Sequence, residues 1–422
     1  MADISSQLSL PHSKKIATNR LLKAAMTEHL CAYNEIDMSQ SGRPTPELIE
    51  LYRVWGKGVP GIIVTGNIMI DREHLEHRTN AIIDDRSDNF VPDYAKVAEA
   101  AKANGSLIIG QLSHVGRQCS SDIQKHPVAA SAVQLPANAM HSYEMPTALE
   151  QAGIDKIIGQ FAHAAHVLYK AGFDGVQLHA AHGYLLSGFL SNRTNKRLDK
   201  YGGSLDNRAR LLLEVIAAVK ERIGDSDFSI SVKLNSQDFV DEGFTEADSA
   251  AVCHMLDQAQ VDFVEVSGGS YEKSGFNHSL QRESTIKREG YFIALCEQLR
   301  PQMRNMRCVL YTRHSSTDVQ VRLVCTGGFR TVGAMNAALA SGALDMCGIG
   351  RPLCAEPLLV DHMMKGQTEA AKASLLPNVP GLPIIAGTLQ LQQIGRCQPI
   401  LDLSQPAHVA GFITKLKAMH AS

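Results

Sequence analysis

The sequence predicts an α/β protein, a single (β/α)8 TIM barrel over residues 1–375 followed by a C-terminal extension over 376–422. Three observations carry that expectation. One unit recurs along the chain, an amphipathic helix closed by a glycine and followed by a short apolar run. The runs are continuously apolar rather than alternating, as strands are when helices cover a parallel sheet. Eight such runs are present, and the first lacks the glycine-rich phosphate loop that a doubly wound open sheet usually places after its first strand.

The elements follow in order. LLKAAM (21–26) and GIIVTG (61–66) are the first two strands. VPDYAKVAEAAKANG (91–105) leads into SLIIGQL (106–112), and DKIIGQFAHAAHVLYKAG (155–172) leads into FDGVQLH (173–179). In the latter helix Ile157, Ile158, Phe161, Ala165 and Leu168 recur at three- and four-residue spacing, the mark of one buried face. LLLEVIAAVKERIG (211–224), with Ser204 or Asp206 as its candidate N-cap, returns the chain to FSISVKL (228–234). TEADSAAVCHMLDQAQ (245–260) precedes VDFVEVSGG (261–269). VRLVCTGG (321–328), TVGAMNAALASG (331–342) and ALDMCGIGR (343–351) complete the set. The tail from 376 has Pro and Gly early and then a short helical pattern, placed over the barrel or at a subunit contact.

Composition removes several function classes. The 422 residues are 44% hydrophobic and 20% charged, enough apolar material for a large core. A net charge of -2 offers no basic field for nucleic acid or an anionic membrane. Nine dispersed cysteines without a C-x-x-C spacing exclude zinc ribbons, redox dithiols and iron–sulfur sites, and predict reduced, buried thiols in the cytoplasm. The N-terminal stretch lacks a signal-peptide core, and no run reaches membrane-span length.

In such barrels chemistry sits at the C-terminal ends of the strands. Those ends carry Met26-Thr27, Gly66, Gln111, His179 with His182 and Tyr184, Lys233, Ser267-Gly268-Gly269, Gly327-Gly328 and Gly350-Arg351. The last two exits fit a phosphate. Backbone N–H groups approach closely where side chains are missing, and an arginine pairs with the dianion. The competing explanation is that these glycines serve turns alone.

HAAHGY at 179–184 admits three explanations. A metal pair lacks Asp, Glu or Cys partners to complete a ligand set, so no metal is expected there. Satisfied core histidines are the second. The third, favoured by position at a strand exit, is two neutral imidazoles donating to one carbonyl oxygen with Tyr184 supplying a proton.

The stretch HAAHGYLLSGFLSNRTNKRLDKYGGSLDNRAR (179–210) resembles the hallmark of the old yellow enzyme family. AAMT (24–27), QLSHVGR (111–117), SGGSY (267–271), TGGF (326–329) and GIGRP (348–352) extend the resemblance over roughly residues 15 to 365. It implies a barrel that binds FMN noncovalently and takes hydride from NADPH or NADH. Ala25, Met26 and Thr27 would face the flavin, with Thr27 near O4. Gly66 and Gln111 would meet the isoalloxazine, and Gly327, Gly328, Gly350 and Arg351 its phosphate. His179 and His182 match the pair that binds the carbonyl oxygen of an activated alkene, and Tyr184 matches the proton donor.

Three departures stand out. Lys233 replaces the arginine that many relatives place beside flavin N1 and O2. It supplies a point charge without a bidentate contact. Ala25 stands where a proline is usual. CVLYTRHSSTDVQVR (308–322) reads as an insertion before strand seven, either a dispensable loop on the N-terminal face or a gene-prediction artefact.

The implied reaction passes hydride from NAD(P)H through flavin N5 to the alkene of an α,β-unsaturated carbonyl compound, with protonation by Tyr184. The same residues leave two alternatives open. One is isomerisation, dehydrogenation or cyclisation of an enone intermediate without net reduction, and the other is a noncatalytic binding barrel. Specificity is expected in loops 113–150 and 270–290.

Overall fold

A computed structural model describes residues 2–137, 141–224, 227–273, 293–310, 321–377, 379 and 381–421. Eight parallel strands form a closed barrel: β1 (Leu21–Lys23), β2 (Ile62–Met69), β3 (Leu107–Ser113), β4 (Gly175–Ala180), β5 (Ser229–Asn235), β6 (Phe263–Ser267), β7 (Arg322–Thr326) and β8 (Met346–Ile349). The ring closes where Leu22 of β1 pairs with both Ile62 of β2 and Gly348 of β8. All eight predicted strands are present.

The helices between them are α1 (Pro46–Lys57), α2 (Val91–Lys102), α3 (Gln151–Lys170), α4 (Leu205–Ile223), α5 (Glu246–Gln258), α6 (Ile293–Leu310) and α7 (Val332–Ala340). Their starts are written locally. Thr45 caps α1 by accepting the Leu48 N–H, with Pro46 at the first helical position, where its missing N–H costs nothing. Ser204 caps α4 through the Asn207 N–H, which decides between the two candidates read from the sequence. Thr245 and Asp248 form a reciprocal capping box on α5.

The expected insertion at 308–322 lies largely outside the described residues. Cys308–Leu310 continue α6 and Arg322 opens β7, while 311–320 lie outside the described residues. Most of the specificity loop 270–290 also lies outside them.

Along the barrel axis the interior changes character. Its lower layers are apolar, built from Leu22, Ile62, Val64, Leu107, Ile109, Phe263, Val324 and Met346. A hairpin of Leu8–Ser9 and Ile16–Ala17 packs Leu8, Leu10 and Ala17 onto these layers. It is fastened by the His12 and Ser13 N–H groups, which donate to Asp262 Oδ1 just before β6. The upper layer is polar, with Gln111, Gln177, Lys233 and Glu265 all buried.

After β8 come α8 (Leu359–Met364), α9 (Leu382–Gly395) and α10 (Pro406–Ala421). Leu391 and Ile394 of α9 join the main core, and a Cβ on Gly395 would stand 2.6 Å from the Glu47 carbonyl of α1. Val409 and Phe412 of α10 form a smaller cluster with Ala386 of α9.

Candidate active site

The exit of β4 brings His179, His182 and Tyr184 together. The two imidazole centroids are 5.1 Å apart, and the Tyr184 ring lies 4.6 Å from that of His179. The backbone of His182 is left-handed (φ 59°), a conformation uncommon for a side-chain-bearing residue. Three contacts hold it there. The His182 N–H donates to Asn235 Oδ1, its carbonyl accepts from Gln118 Nε2, and its Nε2 lies 2.7 Å from Ser267 Oγ. Backbone strain of this kind persists only where surroundings over-determine it, and it clusters at functional sites. Gly183 follows at φ 80°, and a Cβ there would strike Gln118 Oε1 at 2.5 Å.

Burial decides the charge of these groups. It pushes the His182 imidazole down to about 3, with the Lys233 charge adding to the effect. Burial, then His182 and Lys233, pushes His179 well below its usual value. Both rings are therefore neutral near pH 7. His179 Nδ1 accepts the Ala181 N–H at 3.4 Å, which puts the ring proton on Nε2 as a donor. Burial and the nearby Glu76 charge hold the Tyr184 phenol well above its ordinary value, so it carries its proton.

Around Tyr184 lies a cluster that sequence reasoning missed. Asn67 Nδ2 is 3.4 Å and Tyr271 Oη 3.2 Å from the Tyr184 hydroxyl. The same Asn67 nitrogen donates to Glu76 Oε2 at 2.9 Å, and Thr27 Oγ1 donates to that oxygen at 2.7 Å. A register shift between Val64 and Asn67 in β2 re-aims the strand at this point. No periodicity in the loop DREHLEHR marks Glu76, because its role is set only by where the loop returns.

The other exits fall as follows. Ala25, Met26 and Thr27 are half-buried beyond β1, with Ala25 packed on the interior layer and Met26 Sδ 3.3 Å from Cys354 Sγ. The Thr27 hydroxyl proton is committed to Glu76. At Gly66 the requirement for glycine comes from the protein itself. Its N–H donates to Glu28 Oε1, and a Cβ would meet Glu28 Oε2 at 2.2 Å and the Met26 carbonyl at 2.5 Å.

Gln111 Nε2 donates to Gln177 Oε1 at 2.7 Å, and Gln177 Nε2 donates to Glu265 Oε2 at 2.9 Å. Lys233 Nζ lies 2.5 Å from Glu265 Oε1. Lys233 is therefore an ion-pair partner of Glu265, a pairing that the sequence reading did not include. A sequence signal for Glu265 and Gln177 existed: each is a polar residue inside a buried, otherwise apolar strand.

Gly327 (φ 119°) and Gly328 (φ 88°) turn the chain after β7. Arg351 is exposed beyond β8 and makes no ion pair or side-chain hydrogen bond among the described residues. Glycine backbone and an uncommitted guanidinium suit a phosphate, and the polar floor of Gln111 and Lys233 suits the pyrimidine edge of a flavin. The residues present fit FMN.

Among the described residues one group has metal-like composition. The ligand atoms of Asp71, His74 and His114 lie within 4.8 Å of one another. His114 Nδ1 accepts the Gly116 N–H at 3.0 Å, which places its proton on Nε2, the atom facing Asp71. A protonated nitrogen is no ligand, so the group reads as a buried proton-holding cluster. His179 and His182 belong to no such group.

Comparison with known proteins identifies the family and the fold. Residues 13–370 match the family described as NADH:flavin oxidoreductase / NADH oxidase. The chain is 38% identical over 403 residues to the NADH-dependent flavin oxidoreductase nadA of Aspergillus parasiticus, covering 94% of this chain and 86% of that protein. It is 32% identical to the NADH-dependent flavin oxidoreductase iliE of Hypocrea jecorina, covering 82% and 85% respectively. Its fold superimposes on an old yellow enzyme homologue from Zymomonas mobilis with a TM-score of 0.68 and 25% identity, over 88% of this chain and 95% of that one.

Proposed function

The chain belongs to the NADH:flavin oxidoreductase / NADH oxidase family, the old yellow enzyme group of FMN enzymes that take hydride from NADH or NADPH, and from that premise we propose that it reduces the alkene of α,β-unsaturated carbonyl compounds. The observation that carries this reading is the neutral His179–His182 pair beside a protonated Tyr184 at the exit of β4.

FMN, when bound, supplies the two-electron store that accepts hydride from the nicotinamide and returns it to the β-carbon of the alkene. Gln111 and Lys233 would hold its pyrimidine edge, Gly327, Gly328, Gly350 and Arg351 its phosphate, and Ala25, Met26, Thr27 and Gly66 would line its ring. His179 and His182 hold the substrate carbonyl. Negative charge grows on that oxygen as the β-carbon takes hydride, so neutral N–H donors fixed by Ala181, Asn235 and Ser267 bind the transition state better than the ground state. Tyr184 then gives its hydroxyl proton to the α-carbon.

Among the described residues seven of eight cysteines are buried, which supports a reducing cytoplasmic setting. No helix among the described residues is long and apolar enough to cross a membrane.

The test is a visible spectrum of the purified protein, taken anaerobically before and after NADH or NADPH and again after an enone. The expected result is bleaching followed by recovery with saturated product. Flavin that stays bleached while the enone is rearranged, or product formation without nicotinamide, would replace this reading with isomerisation or cyclisation.

A further inference from the structure

We propose that Glu265 sets the charge Lys233 presents to the cofactor pocket, lowering the reduction potential of bound FMN below the value that an unpaired lysine would give. The proposal rests on the reading that Lys233 and Gln111 line that pocket.

The argument begins with register. Lys233 of β5 and Glu265 of β6 are paired positions in adjacent parallel strands, so their side chains leave the sheet on the same face at the same height. The ammonium lies 2.5 Å from the carboxylate, and the two side chains are only 5% and 0% exposed. Burial pushes the Glu265 carboxyl up, but the charge and hydrogen bond of Lys233, helped by Gln177, outweigh it and hold the group below its usual value. Glu265 is therefore an anion.

In an interior without water the field of the pair is that of a dipole, which falls away faster than the field of a lone ammonium. A two-electron reduced flavin that carries negative charge gains less from such a dipole. Lys233 is thus partly spent on Glu265 before any cofactor arrives.

The same carboxylate organises its neighbours. An ionised carboxylate only accepts, so Gln177 must turn its amide nitrogen toward Glu265 and its oxygen toward Gln111. Gln111 must then offer its own amide nitrogen to Gln177. Paired register between Gln111 of β3 and Gln177 of β4 keeps this chain on one level. Glu265 touches no reacting atom in this arrangement. It is a positioning residue, acting through Lys233 on one side and through Gln177 on the other.

The experiment measures the midpoint potential of FMN in the loaded protein at one fixed pH, by equilibration with reference dyes. Lys233→Met, the double variant Lys233→Met with Glu265→Gln, and Glu265→Gln alone are compared with wild type. Circular dichroism and the FMN Kd, from fluorescence quenching, confirm that each variant is folded and loaded. Glu265→Gln is expected to lie above wild type, because the ammonium then faces the pocket without its counter-charge. Lys233→Met is expected to lie below wild type, because the ammonium is gone and the buried Glu265, without it, takes up a proton. The double variant is expected to coincide with Lys233→Met, since neither then holds a charge. If Glu265→Gln is unshifted while Lys233→Met falls, Lys233 stands as a cofactor contact and the role of Glu265 is overturned. If Lys233→Met coincides with wild type, the placement of Lys233 in the pocket fails instead.

Discussion

Asn67 Nδ2 lies 3.4 Å from the Tyr184 hydroxyl, and the same nitrogen lies 2.9 Å from Glu76 Oε2, so one amide links the phenol to a carboxylate. Burial and then the Glu76 charge raise the Tyr184 phenol, because a phenolate there would face a like charge. Glu76→Gln removes that charge, and the phenol pKa then falls. The alkaline limb of kcat/KM for an enone should move to lower pH in Glu76→Gln. A pH profile with an unmoved or upward-shifted limb would separate Glu76 from the acid.

Tyr184→Phe keeps the ring and removes the proton. Flavin reduction by NADH, followed by stopped-flow bleaching, is expected to survive, while enone turnover falls by roughly 10²–10⁴, the usual scale for a general acid. Equal loss in both half-reactions would mean that Tyr184 shapes the pocket rather than donating.

His179→Asn or His182→Asn deprives a bound carbonyl of one donor. Affinity for a carbonyl ligand should weaken by about 1–3 kcal/mol, the cost of leaving a buried polar group unpaired. Spectral titration of the loaded protein measures this. Loss of His182 should weaken binding further through the side-chain contact with Ser267 that helps hold its loop.

Acid sensitivity follows from the buried histidines. Burial lowers the His114 pKa from its ordinary value of 6.5 to about 3, so the native protein rejects a proton that the unfolded chain accepts. Stability is therefore fully present above about pH 6.5 and is lost as pH falls toward 3, by up to about 1.4 kcal/mol per pH unit for each such group. Urea midpoints of His114→Gln should fall less between pH 8 and pH 5 than those of wild type. A parallel fall would assign the acid sensitivity to other groups.

Ser204→Ala tests the helix that follows the long motif after β4. Losing the cap on Asn207 should cost about 1 kcal/mol in urea unfolding and leave enone turnover unchanged. An activity loss larger than the stability loss would tie α4 to the site.

How much was legible differs between fold and site. The strands could be read because helices and barrel interior bury both of their faces, leaving runs such as IIVTGNIM without a polar alternation. The cap at Ser204 could be read because its partner lies three residues away. Glu76 could not, since its partners Thr27, Asn67 and Tyr184 are brought to it by three separate strand exits. The ion-pair partner of Lys233 could not be read for the same reason, because register between β5 and β6 is a long-range property.

By itself the sequence determined the eight strands, most of the intervening helices and the polar residues at the strand exits, because burial period, capping and glycine stops act over a few neighbouring residues. Only the tertiary structure decided which of those residues meet. It bent His182 into a left-handed turn, stood Glu76 beside Tyr184 and paired Lys233 with Glu265. Such contacts depend on barrel closure and strand register, and charges and hydrogen bonds respond to distances of a few ångströms that no local pattern contains.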